Sequence, residues 1–153
     1  MPPVANKRLT RLWRSPWTGD FAQHTMIHMT KPLTVKYLQE IVAAFNSRDV
    51  EKIGAYFAED ATFFASRGPA VDGARIHGRD AIMRYLADRF ERIPDMRWEP
   101  VEDYVVDGTR AVSVWIVRGT ENGNPIEARG VDLWEFRGDK VLNKDTYWKL
   151  RSG

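Results

Sequence analysis

The spacing of apolar residues changes partway along this chain, and this change limits the possible folds more than any other feature. Before residue 95 the spacing is helical, with Leu38, Ile41 and Phe45 at i, i+3 and i+7. Beyond it, apolar and polar residues alternate between turn signals such as Asn122-Gly123. Helices followed by an antiparallel meander predict an α+β fold, with the helices packed on one face of a strongly curved sheet.

The helical half contains start and stop signals for three helices. The first is predicted to begin after Thr34 and to end at Asn46-Ser47, and Asp49 is a good N-cap for a short second helix that buries Phe57. The third is predicted over residues 78–93. Strands are predicted over residues 61–65, 97–106, 110–118, 125–136 and 140–150, and a loop is predicted over residues 66–77.

The basic charge of the chain is concentrated at one end. Residues 1–30 carry a net charge of +3, which leaves −1 for the rest of the formal total of +2. A nucleic-acid-binding domain clusters its Lys and Arg on one face of the fold, so no nucleic-acid partner is expected. Residues 1–30 lack periodicity and predict a flexible basic arm, with translation starting at Met26 or Met29 as an alternative. Residues 31–153 are predicted to form a single domain.

Several classes of protein are excluded by composition. The chain contains no cysteine, which removes disulfides, thiolate metal sites and cysteine nucleophiles. It has no run of about 18 apolar residues, so no membrane span is expected and a cytoplasmic location is predicted. His24 and His28 are four residues apart, but no third ligand accompanies them. No metal and no cofactor are therefore predicted.

One carboxylate interrupts an otherwise small and aromatic strand face. Asp132 shares that face with Ala128, Gly130, Trp134 and Phe136. A lone carboxylate there must find a partner or take up a proton. It could act as a general acid, as a general base, or as a neutral hydrogen-bond donor to an oxyanion. The alternative is a structural pair, for which Lys144 on the next strand is the candidate.

Both faces of the strand predicted over residues 110–118 are largely apolar. Ser113, Trp115 and Val117 share one face, and Val112, Val114 and Ile116 share the other. One face is therefore expected to pack on the helices, and the other on a partner subunit or a second layer. In the last strand, strict alternation places Lys144, Thr146 and Trp148 opposite Val141.

Four segments together resemble the SnoaL-like branch of the nuclear transport factor 2-like superfamily. They are FNSRD at 45–49, YFAEDAT at 56–62, GRDAI at 78–82 and DLWEFRGDKV at 132–141. The resemblance covers about residues 34 to 150. It implies a cone-shaped fold in which a curved antiparallel sheet wraps around about three N-terminal helices and encloses a deep apolar pocket. It also implies a homodimer formed through the outer face of the sheet.

The resemblance also implies where a site would lie. SnoaL-like polyketide cyclases use an inward-facing aspartate with a histidine nearby, which points to Asp132 and His77 as the catalytic residues. An aromatic-rich pocket suits a small hydrophobic molecule that bears a carbonyl or a hydroxyl. By the same resemblance, the substrate-binding residues would be Phe45, Tyr85, Trp115, Trp134, Lys144, Thr146 and Trp148.

Two other activities of the superfamily lack their working residues in this sequence. Asp132 matches the oxyanion-hole aspartate of ketosteroid isomerases, but Ile41 and Ala65 stand where those enzymes keep a tyrosine and the general base. The Asp-Arg-Asp catalytic set of limonene epoxide hydrolases would fall near Val114, Ile116 and Thr146, and none of these residues can replace it. Because the fold hosts many functions, two hypotheses stay open. One is a cofactor-independent isomerase, cyclase or dehydratase, and the other is a non-catalytic ligand-binding or dimerisation module.

Overall fold

The computed structural model describes residues 31–152, so the predicted arm lies outside the described residues. No helix within residues 31–152 is both long enough and apolar enough to cross a membrane. In chain order the elements are α1 (Val35–Ser47), α2 (Val50–Gly54), β1 (Phe57–Phe64), β2 (Arg75–His77), α3 (Arg79–Arg92), β3 (Arg97–Val105), β4 (Arg110–Glu121), β5 (Asn124–Arg137) and β6 (Lys140–Trp148).

The first two helices begin at side-chain caps, as the sequence predicts. Thr34 accepts a hydrogen bond at Oγ1 from the backbone N–H of Tyr37, at 3.1 Å. The Asp49 carboxylate accepts from the backbone N–H groups of Glu51 and Lys52. These bonds satisfy N–H groups that have no partner within the first turn of a helix. The predicted starts of α1 and α2 are thereby confirmed.

The six strands form one curved sheet in the order β2-β1-β6-β5-β4-β3. The strands β1 and β6 are parallel, and every other neighbouring pair is antiparallel. The helices cover the inner face of the sheet, and the α+β prediction is confirmed. The core between them includes the fully buried Leu38, Ile41, Ile53, Phe57, Ile82, Leu86, Trp115, Val117 and Val141.

Two boundaries differ from the prediction in the first half of the chain. Phe57 does not belong to α2 but begins β1, where it pairs with Val141 of β6. Since α2 ends at Gly54, the apolar residues that follow it enter the sheet. The predicted loop 66–77 contains β2, a three-residue edge strand that pairs with the end of β1. A strand of three residues is too short to produce a readable alternation.

A β-bulge corrects the face assignment of β6. Glu135 pairs with Asn143 and Phe136 pairs with Val141, so Leu142 is an extra residue on this strand. The bulge places Val141 on the inner face together with Lys144, and Val141 is fully buried. The prediction that Val141 opposes Lys144 was therefore wrong, because strict alternation fails across an inserted residue.

Candidate functional site

A polar cluster lies at the centre of the sheet's inner face. Its members are Ser113, Asp132, Lys144 and Thr146, which are the buried polar and charged residues within 31–152. The register explains why they meet, since Asp132 of β5 pairs with Ser113 of β4 and with Thr146 of β6. Directly opposed residues share a face of the sheet, so three strands deliver polar side chains to one place.

Hydrogen bonds occupy both oxygens of the Asp132 carboxylate. Oδ1 accepts from Lys144 Nζ at 2.5 Å and from Thr146 Oγ1 at 2.6 Å. Oδ2 accepts from the indole N–H of Trp115 at 2.8 Å. The carboxylate is thus held by three donors, and the pair with Lys144 that the sequence suggested is formed.

A glycine makes room for the indole that binds this carboxylate. Gly130 lies two residues before Asp132 on the same face of β5, and the ring of Trp115 lies over it. A Cβ at position 130 would collide with the Cη2 and Cζ3 atoms of that ring. The missing side chain therefore lets Trp115 lie flat enough to reach Asp132.

Three aromatic rings surround the ammonium of Lys144. Its Nζ lies 4.5 Å from the ring centre of Phe63, 5.1 Å from that of Trp134 and 5.5 Å from that of Phe45. Burial lowers the pKa of Lys144, and the charge of Arg89 acts in the same direction, while Asp132 opposes both. The rings and the carboxylate offset part of the cost of burying this charge.

One N–H of the Lys144 ammonium has no acceptor among residues 31–152, and we call it the spare N–H. An ammonium carries three donors. Two of them go to Asp132 Oδ1 and to Thr146 Oγ1, at 2.5 and 2.6 Å. No acceptor for the third is present among residues 31–152. Lys144 is also one of the residues that line the cavity inside the cone, so the side chain with this spare N–H borders the space that a ligand would occupy.

The cavity lies between α1, α3 and the inner face of the sheet. It has a volume of about 20 Å³, which is room for a single water molecule. It is thus much narrower than the deep apolar pocket that the resemblance implies, because aromatic side chains fill the interior. The lining consists of Phe45, Phe63, Ser66, Tyr85, Leu86, Arg89, Trp98, Lys144, Thr146 and Trp148.

Five of the seven predicted substrate-binding residues line this cavity: Phe45, Tyr85, Lys144, Thr146 and Trp148. The other two, Trp115 and Trp134, lie behind the polar cluster. Trp115 donates to Asp132, and the indole N–H of Trp134 donates to Ser113 Oγ at 3.0 Å. Both indoles therefore support the cluster rather than face the cavity.

The two predicted catalytic residues are not brought together. His77 pairs with Thr62 across β1 and β2, and its Nδ1 lies 3.0 Å from Thr62 Oγ1. The next pair along, Phe63 with Ile76, points inward. His77 therefore lies on the outer face, exposed and away from the cavity. The structure thus does not place His77 beside Asp132, because the predicted loop that contains it forms a strand and alternation turns the side chain outward.

Arg89 is the charged cavity residue that the prediction missed. It lies on the inward stripe of α3, seven residues after Ile82 and three after Leu86. Its guanidinium lies 5.0 Å from the ring centre of Trp148. Burial lowers the pKa of Arg89, and the charges of Tyr85 and Glu121 oppose that shift. A charge within an apolar helical stripe was the signal in the sequence that could have identified it.

The indole N–H of Trp148 has no partner. This atom is buried and finds no acceptor among the described residues. The ring itself is half-buried and borders the cavity. No group of three or more His, Cys, Asp or Glu side chains within residues 31–152 is placed to hold a metal ion. The polar residues that line the cavity include Ser66, Tyr85, Arg89, Lys144, Thr146 and Trp148, and none of the lining residues is an acid.

A larger hollow of about 590 Å³ lies outside the cone, between the first two helices and the β5-β6 turn. Its central polar group is the hydroxyl of Tyr37, which donates to the backbone carbonyl of Asp139. Burial raises the pKa of Tyr37 to about 12. The proton of this hydroxyl is therefore used within the fold.

The outer face of the sheet carries a second distinctive surface, which we call the outer apolar patch. It is continuous across four strands, since Tyr104 pairs with Val112, Val114 pairs with Val131, and Val131 pairs with Tyr147. Leu133 is 43% exposed and Tyr147 is 52% exposed. The patch consists of Tyr104, Val112, Val114, Val131, Leu133 and Tyr147.

Solved structures confirm the fold class. A protein with a ketosteroid isomerase-like fold from Catenulispora acidiphila, in complex with trimethylamine, aligns with a TM-score of 0.67 at 21% identity, over 77% of this chain and 88% of that one. A candidate polyketide cyclase from Xanthomonas campestris aligns with a TM-score of 0.66 at 22% identity, over 74% and 88%. A cystatin-fold protein from Novosphingobium aromaticivorans gives 0.57 at 22% identity, over 75% and 96%.

A family of sequences matches the same part of the chain. No curated protein matches the sequence. The SnoaL-like domain family, however, matches residues 38–143, which run from the middle of α1 into β6 and include Asp132. The matched region covers most of the described chain and every strand of the sheet at least in part. The chain therefore belongs to the SnoaL-like domain family.

Proposed function

We propose that this protein binds a small, mostly apolar carbonyl compound inside the cone and catalyses a cofactor-independent proton transfer on it. Isomerisation, cyclisation and dehydration are the reaction types that such a transfer serves. The observation that carries the proposal is the spare N–H of Lys144, a buried lysine that lines the cavity. Aromatic rings enclose it, so an oxygen acceptor brought there would meet a desolvated donor.

In this proposal Lys144, rather than Asp132, touches the ligand. Lys144 Nζ stabilises negative charge that develops on the carbonyl oxygen and gives that oxygen a proton. The neutral amine stays bonded to Asp132, whose Oδ1 lies 2.5 Å away. The amine then takes up the proton that the neighbouring carbon releases, which restores the ion pair. Asp132 is thus a positioning residue that keeps Lys144 in place and favours its charged form.

Binding of a ligand requires the rim of the cavity to open. A volume of about 20 Å³ admits only a water molecule. Trp148 is the half-buried member of the lining at the end of the last strand, and it packs edge-on against Trp115. We propose that Trp148 swings outward to admit the ligand and that the apolar body of the ligand takes the place of its ring.

A second candidate function is non-catalytic ligand binding. The observation that favours it is that Asp132 already accepts three hydrogen bonds within the fold and is not one of the residues that line the cavity. The Catenulispora protein, in complex with trimethylamine, is an example of a similar fold that holds a small amine. In this chain, the rings of Phe45, Phe63 and Trp134 surround the ammonium of Lys144.

We further propose a homodimer that buries the outer apolar patch. Monomeric proteins rarely leave a continuous apolar surface of this kind in contact with water. Two copies related by a twofold axis would bury the same patch on both subunits. The cytoplasmic location stays a prediction from the sequence.

Proton exchange tests the catalytic proposal even while the natural substrate is unidentified. Small ketones in D2O lose their proton signals next to the carbonyl when a catalyst exchanges them, and NMR follows this loss. We expect the wild type to accelerate exchange and Lys144→Met to lose about 100-fold or more of that acceleration. Lys36→Met, an exposed lysine on α1, is the matched control and should behave as wild type.

The outcomes separate the two candidates. Saturable binding of a ketone without exchange would favour the non-catalytic function. Exchange that persists in Lys144→Met at the wild-type rate would contradict the role of Lys144. No binding and no exchange across ketones of different size would contradict both candidates.

A further inference from the structure

The charges that face the cavity do not cancel. Asp132 balances Lys144 through a direct ion pair at 2.5 Å. Arg89 adds a second cation on the same cavity, and its charge acts on Lys144. No carboxylate of residues 31–152 lies within 4.0 Å of the Arg89 guanidinium. The nearest acidic influence on it is the more distant charge of Glu121.

The neutral groups at this end of the cavity are also donors. Tyr85 and Ser66 line it with hydroxyl groups. The indole N–H of Trp148 is buried without an acceptor among the described residues. A buried donor that lacks an acceptor costs free energy, and a partly buried cation without a counter-charge costs more. An anion bound at this place would supply the counter-charge that Arg89 lacks among residues 31–152.

We infer that the ligand of this cavity carries a carboxylate that binds Arg89 at the rim while its carbonyl oxygen meets Lys144. This inference rests on the proposed function and adds the substrate class, a small oxo acid. A carboxylate fits because the planar guanidinium fork offers two parallel N–H groups at the spacing of its two oxygens. The aromatic rings between the two cations would then contact the carbon chain of the acid.

A second arginine reinforces the positive rim. The guanidinium of Arg67, in the loop before β2, lies 5.7 Å from the ring centre of the same Trp148 that Arg89 contacts. Arg67 forms no ion pair with a described carboxylate either. Two cations beside one rim indole would draw an acid toward the mouth of the cavity before it binds.

Binding of matched probes tests the inference. We would measure by calorimetry the affinity of the full chain for 4-oxopentanoate and for its methyl ester, which keeps the ketone but lacks the charge. We expect the acid to bind about tenfold or more tightly than the ester, and Arg89→Gln to remove that difference. Arg84→Gln changes an exposed arginine on the same helix and should leave both affinities within about twofold of wild type.

A stability measurement gives a readout that does not depend on the length of the probe. Without ligand, Arg89→Gln should melt at the same temperature as wild type or higher, because the variant removes a partly buried charge that lacks a counter-charge. Sodium acetate, compared with sodium chloride at equal ionic strength, should raise the melting temperature of wild type but not that of Arg89→Gln.

Each contrary outcome has a distinct meaning. Equal affinity for acid and ester in wild type would overturn the inference and leave the proposed function standing. An equal or larger rise in melting temperature with inorganic phosphate would overturn the assignment of the anion as a carboxylate. Failure of acid, ester and acetate alike would overturn the inference together with the proposed function.

Discussion

Asp132 and Leu133 are neighbours on β5, yet the sheet buries the carboxylate and leaves the leucine in contact with solvent. Asp132 is 4% exposed and Leu133 is 43% exposed. An antiparallel sheet with one covered face normally turns its apolar residues inward and its polar residues outward. At these two positions the order is reversed, and each reversal costs stability. The proposed ligand of the inner face and the proposed partner of the outer face would each account for one of these reversals.

The largest effect on stability is expected from removing the buried carboxylate of Asp132. Asp132→Leu leaves Lys144 buried without a counter-charge, and we expect the free energy of unfolding to fall by about 3 to 5 kcal/mol. Urea denaturation measures this loss. The control is the double variant Asp132→Leu/Lys144→Met, which removes both charges and should regain most of the stability. A double variant as unstable as Asp132→Leu would show that the ion pair is not the cause.

A second change disturbs the inner face without touching a charge. Gly130→Ala places a methyl group where the Trp115 ring lies, which should cost about 1 to 3 kcal/mol of stability by overpacking. It should also weaken the bond between Trp115 and Asp132. Gly108→Ala is the matched control, because a Cβ there meets nothing within 4 Å. Equal denaturation midpoints for the two variants would contradict the described packing of Trp115.

The buried ammonium of Lys144 should also make the stability of the protein depend on pH. Burial and Arg89 lower the pKa of Lys144 below the ordinary lysine value of 10.5, against the opposing charges of Asp132 and Asp145. Below the lowered pKa, both folded and unfolded chains hold the proton, so the cost of burying the charge is fully present. Between the lowered pKa and 10.5 the folded chain binds fewer protons, and stability rises with pH.

The difference between wild type and the double variant Asp132→Leu/Lys144→Met isolates this effect, because the double variant leaves no unpaired buried charge behind. Tyr37, with its pKa raised to about 12, makes an opposite contribution above pH 10, but both proteins share it. We expect the stability of wild type relative to this double variant to increase from neutral pH towards pH 10, measured by urea denaturation. A relative stability that falls over this range would contradict the lowered pKa.

The smallest effect on folding should come from the outer face. Leu133→Lys changes an exposed residue that pairs with Asp145 on the neighbouring strand β6. The stability of the subunit should therefore change by about 0.5 kcal/mol or less. The dimer, in contrast, should dissociate, because the change places a charge in the apolar contact. Light scattering checks the mass. Val71→Lys, at a fully exposed apolar residue in the loop before β2, should leave the dimer intact.

Much of this architecture could be predicted from local patterns. The spacing of Leu38, Ile41 and Phe45 identified α1, and the alternation on β4 and β5 assigned the inner and outer faces as the structure has them. Asp132 was found because it interrupts an apolar face. These features depend on residues close together in sequence, which is why a single chain reveals them.

The remaining differences arise from non-local geometry. The bulge at Leu142 and the three-residue strand containing His77 depend on how partner strands pair, which the alternation within one strand does not encode. The narrowness of the cavity depends on how the indole rings pack in three dimensions. Arg89 was missed because an arginine on an apolar helical stripe is usually expected to extend its guanidinium to solvent.

Native mass spectrometry of the protein purified from its own host tests both faces of the sheet in one measurement. We expect two subunits, each retaining one small acidic molecule. We also expect that Leu133→Lys gives a loaded single subunit and that Lys144→Met gives an empty dimer. A wild-type protein found as an empty single subunit would contradict the claim that the reversed faces serve a ligand and a partner.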